Sequence, residues 1–435
     1  MKIKTLTITL GVVLLAYTGA IFGSSLYVEK KYNEKLDKIS ADLESKIDGD
    51  TTWRIIDRHY ERGLFDSTAR FVLEFDSKEG DKVKINVDHK IRTGPWLGMD
   101  GIGLAKVHSI LRFDDASVNA LQLGGADFAD LQSVITYWGS LDLKANISPL
   151  NATTLEGSKL QFAGASLDLK GKSFGKTVDI DFQLPAPGLL ITDTTGEKLS
   201  IGATTFQVTD ALANQEMFLF SGSQNFNLAS FELVHPQDNI DIKLTKAQAL
   251  STGLTEKGLY SLNQTMVIEG TYGGKPVRMD YEERWANLHL ENITKLIKVI
   301  NDGPESVENY NDMLQDVLKS GPSLSIRPFT VTYGNEVLDM DISVSFGRIS
   351  KDEKKIPLQM LFLNKFKFEL GATIPASFVE SGFFAVPGGG ELSAEIKKGV
   401  RKGMVVYDER SRSYWTNMSF GNGSFTVNGK TQRLF

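Results

Sequence analysis

Apolar side chains in this chain recur at every second residue over hundreds of positions, and that rhythm limits the fold more than any other feature. Phe71, Leu73 and Phe75 fall on one side of their run, as do Val83, Ile85 and Val87. The alternation returns in Leu141, Leu143, Ala145 and Ile147, in Val178, Ile180, Phe182 and Leu184, and in Ile240, Ile242 and Leu244. It continues through Leu338, Met340, Ile342, Val344 and Phe346, and then Phe366, Phe368 and Leu370. Successive side chains of a strand point to opposite faces, so each run is a strand with one buried face. The separators, such as Lys78-Glu79-Gly80-Asp81, Thr194-Thr195-Gly196-Glu197 and Gly273-Gly274, are turn clusters. Connections that short join antiparallel neighbours.

So many half-alternating strands outgrow a single sandwich. The expected fold class is mainly β with minor α (α+β): a large antiparallel sheet, curved or folded over an apolar interior, or divided into two packed modules. At 435 residues and 41% apolar side chains the chain has enough material for such a core. Three segments leave the two-residue period. Residues 289–320 place Ile293, Leu296, Ile297 and Ile300 on one helical face and restart at Pro304 with Val307, Met313, Leu314, Val317 and Leu318, which predicts a helical hairpin. Gly388–Gly403 is a second candidate helix and Gly125–Gly139 a weaker third.

The amino terminus adds a different constraint. Lys2 and Lys4 are followed by a run from Thr5 to Val28 without a charged residue. As a helix with about 1.5 Å rise per residue it spans roughly 36 Å, more than the hydrocarbon core of about 30 Å. The two lysines hold the amino end in the cytoplasm, so the expectation is a single-pass anchor in a bacterial inner membrane with the body in the periplasm. A cleaved signal peptide ending near Thr18-Gly19-Ala20 is the competing reading. Beyond it, Val28, Tyr32, Leu36, Ile39, Leu43 and Ile47 recur every three or four residues as an amphipathic helix. Its stripe suits either a second copy, giving a homodimer, or the protein's own sheet. The expected organisation is thus residues 1–28 as cytoplasmic end and anchor, 29–50 as connecting helix, 51–288 as antiparallel β region, 289–320 as helical hairpin, and 321–435 as a second β region with one helix and a closing hairpin.

Several chemistries are excluded or unsupported. With no cysteine there is no disulfide, thiolate zinc site or thiol nucleophile. A net charge of -6 gives no general attraction for phosphate backbones, so no nucleic acid is expected as a partner. Gly429-Lys430-Thr431 resembles the end of a phosphate loop, but Gly423 is one residue too far upstream and too little chain follows for a helix. Lys176-Thr177 runs straight from Gly175 into a strand, so that near match also reads as a turn. His59, His89, His108, His235 and His289 have no metal-ligand spacing; Asp88-His89 and Asp114-Asp115 could meet only if folding brought them together. The nucleophile-elbow pattern is absent, and paired glycosidase carboxylates leave no sequence signature. No cofactor is expected.

The stretch "YERGLFDSTARFVLEF", close behind the anchor, together with Gly321-Pro322 before "LSIRPFTVTYGNEVLDMDISVSF", then "LGATIP" and the terminal "GNGSFTVNGKTQRL", resembles the YdgA family of bacterial inner-membrane proteins, a domain family of unknown function. The order of these segments carries the resemblance from Thr5 to Leu434. One departure is "KIRT", which separates His89 from Gly94-Pro95. The resemblance implies an inner-membrane anchor, a periplasmic body and self-association, and supplies no reaction or ligand. Its motif positions here are Arg62, Gly63, Phe65, Ser67, Gly94, Pro95, Gly321, Pro322, Pro328, Asn428 and Gly429, all read as structural. The functional expectation is a non-enzymatic envelope scaffold that binds another envelope protein or itself. A lipid-shielding or lipid-transfer protein with an apolar sheet lining is the alternative, and an envelope hydrolase the third reading.

Overall fold

A computed structural model of the chain describes residues 27–34, 36–41, 51–63, 65–77, 82–98, 101–120, 122–123, 126–153, 157–172, 177–212, 222–238, 240–289, 315–350, 352–380 and 389–433. The expected anchor lies outside these residues except for Tyr27 and Val28, which begin a helix, here called the leading helix, over 27–34 and 36–41. No helix among the described residues is long and apolar enough to cross a membrane. The expected helical hairpin also lies outside them, except that His289 ends a strand and residues 315–318 are helical. The protein is mainly β, and it divides into two compact units, Met1–Thr209 with Glu232–Pro236, and Asp210–Phe231 with Gln237–Phe435.

The first unit opens with a meander of β1 (Thr51–Glu61), β2 (Asp66–Ser77), β3 (Lys82–Thr93), β4 (Ala105–Phe113), β5 (Asp127–Ile135) and β6 (Leu141–Ile147). Each is antiparallel to the next. The candidate helix over Gly125–Gly139 is therefore corrected: its middle is β5. Leucine, alanine and glutamine there tolerate a helix, but ladders on both flanks and the burial of Ala129 override that weak preference.

Four longer strands then follow, each broken into two pieces. They are β6 with β7 (Leu150–Thr153), β8 (Lys159–Phe162) with β9 (Ala165–Lys172), β10 (Thr177–Leu184) with β11 (Leu189–Thr192), and β12 (Lys198–Ile201) with β13 (Thr204–Leu212). On one side of the breaks the order is β6–β9–β10–β13, and on the other β7–β8–β11–β12. The breaks therefore share one level of the sheet. Glycine permits the crossing there: a Cβ on Gly188, at φ +86, would stand 1.9 Å from the Ile201 carbonyl oxygen. Across the same level the Ala163 N–H donates to the Gly188 carbonyl at 2.8 Å.

The second unit is built from β14 (Gly222–Leu228), β16 (Ile240–Glu256), β17 (Leu259–Tyr272), β18 (Lys275–His289), β19 (Ser323–Tyr333), β20 (Glu336–Phe346), β21 (Phe366–Pro375) and β23 (Ser413–Gly421), paired antiparallel in that order. The short β22 (Val406–Asp408) and β24 (Ser424–Val427) both flank β23, and β25 (Lys430–Arg433) closes on β24. β15 (Phe231–His235), which from Glu232 on belongs to the first unit, pairs there with β12. Because β18 pairs with β19, the expected division between residues 51–288 and 321–435 falls inside one sheet. The sheets carry the helices α1 (Asp115–Ala120), α2 (Leu358–Lys365), α3 (Ala376–Glu380) and α4 (Gly389–Arg401), and α4 matches the expected helix at Gly388–Gly403.

Each unit has its own core. In the first, Ile85, Val87 and Phe113 gather with Leu123, flanked by Phe71, Leu73 and Phe128. In the second, Phe378 of α3 packs on Val331 and Leu338, and Leu361 of α2 on Phe346 and Ile349.

Candidate functional site

The early motif crosses from β1 into β2, and the register of the meander sets what surrounds it. Tyr60 opposes Ala69, Ala69 opposes His89, and His89 opposes Ser109, so one row of side chains runs over four strands. The leading helix lies on that row. Its Tyr32 ring is centred 5.5 Å from both the Tyr60 and the His89 rings, and its Leu36 is only 5% exposed. Two ion pairs fix it: Glu29 to Arg62 at 3.2 Å and Asp37 to Arg58 at 2.6 Å. Tyr32 and Leu36 of the amphipathic stripe thus pack on the protein's own sheet, while Ile39 is exposed and Leu43 and Ile47, with the rest of the expected connecting helix beyond residue 41, lie outside the described residues.

Beneath the helix the polar groups are only partly satisfied. The Ser109 hydroxyl lies 2.7 Å from His89 Nδ1, while His89 Nε2 and the Tyr32 hydroxyl are buried with no hydrogen-bond partner among the described residues. Burial holds the His89 pKa below its usual value, against a smaller opposing pull from Asp88. Burial likewise raises the Tyr32 phenol, helped by Tyr60 and opposed by Arg58. The Tyr60 phenol is raised by burial against the lowering effect of the Ser67 hydroxyl. Low polarity penalises the charged form of each group, so the nest is neutral near neutral pH. Enclosed under a helix, it can couple docking to protonation.

The motif residues form the turn at this end of the sheet. Gly63 donates its N–H to the Ser67 hydroxyl at 3.2 Å, and a Cβ on it would stand 1.9 Å from the Asp66 carbonyl oxygen. Ser67 is buried, Phe65 is exposed, and the Phe65 carbonyl accepts the Thr93 N–H at 2.8 Å. Gly94 and Pro95 sit in the next loop, where the Gly94 N–H donates to Leu104 and the Pro95 carbonyl accepts from Gly103. The structure thus brings Arg62, Gly63, Phe65, Ser67, Gly94 and Pro95 to one sheet end. The remaining motif residues lie in the second unit. Gly321 and Pro322 enter β19, Pro328 sits at its register shift, and Asn428-Gly429 makes the β24–β25 turn with positive φ at both residues.

On the uncovered face of the meander, opposite charges oppose each other across β2 and β3: Asp66 with Arg92, Arg70 with Asp88, Glu74 with Lys84. Two grooves open on it. One, of about 620 Å³, is lined by Lys90, Arg92, Lys106 and His108, with Asp66 as its one carboxylate. The Arg92 Nε donates to Asp66 at 2.9 Å, and His108 Nε2 lies 3.0 Å from Asp130. The other, of about 760 Å³, interleaves Arg70, Asp88, Arg112, Asp114 and Asp115. Asp88 and the Asp114-Asp115 pair line the same groove, but no group of three acidic or histidine side chains among the described residues is placed to hold a metal ion. His89 faces the helix-covered side instead, and Asp114 accepts the Ser117 N–H at 2.8 Å, capping α1.

The family model described as "Bacterial protein of unknown function (DUF945)" matches residues 1–434. The chain belongs to this family. No curated protein and no solved structure matches it. In this DUF945 protein the early motif, the leading helix and the cationic groove converge on one end of the first unit. Sequence reasoning missed Tyr32, Ser109 and the tips Ile102 and Trp138 as parts of that end. A signal existed for the tips, since Trp96-Leu97-Gly98 and Tyr137-Trp138-Gly139 both set aromatic residues in glycine turns.

Proposed function

We propose that this protein is a non-enzymatic component of the bacterial cell envelope, of the YdgA type, anchored in the inner membrane through residues 5–28, with its amino end cytoplasmic and its β body periplasmic. There it acts as a binding scaffold for another envelope protein or a second copy of itself. The observation that supports this reading most is the attachment of the leading helix. The charge-free run ends at Val28, and the next residue, Glu29, is already paired with Arg62 of the body. A segment suited to a bilayer thus joins a folded sheet with no spacer, as a fixed tether requires. The exposed face of the meander supports the binding role, because a charge ladder and two open grooves lined by charged side chains offer recognition groups.

A lipid-shielding role has its own supporting feature. In the second unit Met279, Phe329 and Met340 are half-buried around Val331, Leu338 and Phe378 on one face of long strands.

Alkaline phosphatase fused after Arg433 tests the topology: activity in intact cells, with retention in membranes after alkaline carbonate washing, is the expected result. A fusion that is inactive and washes off overturns the anchor. Native mass spectrometry of the detergent-extracted full chain then separates the roles. A homodimer or a bound protein supports the scaffold, and stoichiometric phospholipid without either supports shielding.

A further inference from the structure

The end of the first unit that carries the early motif also carries an apolar rim. Trp96 is 60% exposed, Ile102 65% and Trp138 66%, and Phe65 and Tyr137 are exposed beside them. Topology gathers these residues. Phe65 precedes β2, Trp96 and Ile102 belong to the loop from β3 to β4, and Tyr137-Trp138 to the turn from β5 to β6. Backbone bonds hold the tips in place: Trp96 bridges to Ile102, and the Leu104 N–H donates to the Ile135 carbonyl at 2.8 Å. Two exposed tryptophans and an isoleucine on neighbouring turns mark an interaction surface. Tryptophan and tyrosine are the residues favoured where hydrocarbon meets water.

The leading helix shows what that rim faces. Its contacts with β1 run from Glu29–Arg62 to Asp37–Arg58. The helical interval between the two contacts covers about 12 Å and the strand interval about 13 Å, so the helix lies along β1 with its amino end at Arg62. That is the rim end, and the charge-free run ends one residue before Glu29. The sequence able to enter a bilayer therefore joins the body at the sheet end that carries Phe65, Trp96 and Trp138. Charge points the same way. The 620 Å³ groove starts behind the rim, with Lys90, Arg92 and Lys106 against the single carboxylate of Asp66.

We propose that this rim docks on the anionic phospholipid surface of the membrane holding residues 5–28, with Trp96, Ile102 and Trp138 entering the interface and Lys90, Arg92 and Lys106 facing headgroup phosphates. The inference rests on the anchored reading above. Docking holds the meander upright on the bilayer and leaves its charge ladder open to partners. Basic residues near an anionic surface and amphipathic rings at the headgroup level act together, since each lowers the cost of bringing the other close.

The chain contains no cysteine, so single-cysteine variants of the full-length protein report one position at a time. Ile102→Cys and Trp138→Cys, with Asp115→Cys at the opposite end of the meander as reference, are labelled with a fluorophore and reconstituted into phosphatidylglycerol–phosphatidylcholine vesicles containing doxyl lipid. Labels at 102 and 138 are expected to be quenched at least threefold more than the label at 115. Lys90→Glu with Lys106→Glu, or pure phosphatidylcholine, is expected to reduce that quenching at least twofold. Retention after carbonate washing with 102 and 138 quenched no more than 115 overturns the docking while leaving the anchor intact. Loss of the protein on washing overturns the anchor itself. Equal quenching on neutral vesicles overturns the assignment of the groove to headgroups.

Discussion

His89 Nδ1 lies 2.7 Å from the Ser109 hydroxyl, under a helix that leaves the other ring nitrogen without a partner among the described residues. Whichever nitrogen carries the proton, one polar atom of the ring is buried unsatisfied. That arrangement makes the docking of the leading helix sensitive to acid.

Burial places the native pKa of His89 below the ordinary 6.5 that the unfolded chain regains. Above pH 6.5 both states are neutral and the group contributes no pH dependence. As the pH falls from 6.5 through the depressed native value, the unfolded or undocked state takes up a proton that the native state resists, so stability falls. The groups facing the ring are Tyr32 from the helix, Tyr60 from β1, Phe71 from β2 and Ser109 from β4, all neutral, with Asp88 the one neighbouring charge that favours protonation. Hydrogen exchange of residues 27–34 is expected to speed up several-fold between pH 6.5 and 5, after correction for intrinsic rates. A His89→Gln variant is expected to show no such step.

Leu36 is the buried anchor of the same helix. Leu36→Ala removes its packing and leaves a gap against the sheet, at a cost of about 2–4 kcal/mol to docking. Limited proteolysis is expected to cut between residues 27 and 41 in the variant well before the wild type. Disulfide crosslinking through Leu36→Cys is expected to fail, because the side chain faces its own sheet. A ready crosslink would instead show that the stripe pairs with a second copy.

The strands were largely legible because each needs only a local two-residue rhythm. Val83, Ile85 and Val87 lie in β3, and Leu338 to Phe346 in β20, as their alternation predicts. Asp127–Ile135 misled because its leucine, alanine and glutamine suit a helix, and only its two flanking strands decide otherwise. The short α2 was missed because its apolar residues Leu358, Met360, Leu361, Phe362 and Leu363 show neither period clearly. The level breaks at Gly164 and Gly188 were invisible, since what they accommodate is the backbone of an adjacent strand, which no local periodicity reveals. The candidate site was legible only in part. Arg62 to Ser67 stood out as a motif, but the nest under the helix depends on a register that brings Tyr60, His89 and Ser109 into one row.

Gly188 tests the break between the two strand levels. Its φ of +86 lies where other residues are strained, and an added Cβ would sit 1.9 Å from the Ile201 carbonyl oxygen and 2.9 Å from the Gly202 backbone. Gly188→Ala is expected to destabilise the first unit by about 1–3 kcal/mol, read as a lower urea midpoint. Gly258→Ala is the matched comparison, because it shares a positive φ of +78 but has no atom within 4 Å of the added carbon. It is expected to cost only the backbone strain, and equal losses in the two variants would mean that the close approach at Gly188 is absent.

Glu74 is a buried carboxylate on the otherwise solvated face of the meander, and its partners share its charge unequally. The Arg54 guanidinium donates to one oxygen at 3.1 Å and also reaches Asp76 at 3.2 Å, while the Lys84 ammonium lies 3.4 Å from the other oxygen. Removing the carboxylate leaves two exposed cations that water can solvate. Removing Arg54 leaves the buried carboxylate with Lys84 alone. Burial of an imperfectly paired charge costs more than exposure of a free cation, yet Arg54 is half-exposed, and solvent screens the loss. Arg54→Ala and Glu74→Gln are each expected to cost about 1 kcal/mol. Lys84→Ala is expected to cost less than about 0.5 kcal/mol, because its contact is longer, at 3.4 Å, and made by a partly exposed ammonium. In the Arg54→Ala background, however, Lys84 is the last cation on Glu74, so Lys84→Ala is expected to cost more there than alone. Urea denaturation of the four proteins in that double-mutant cycle measures the difference, and strict additivity would show that the two cations do not share the carboxylate.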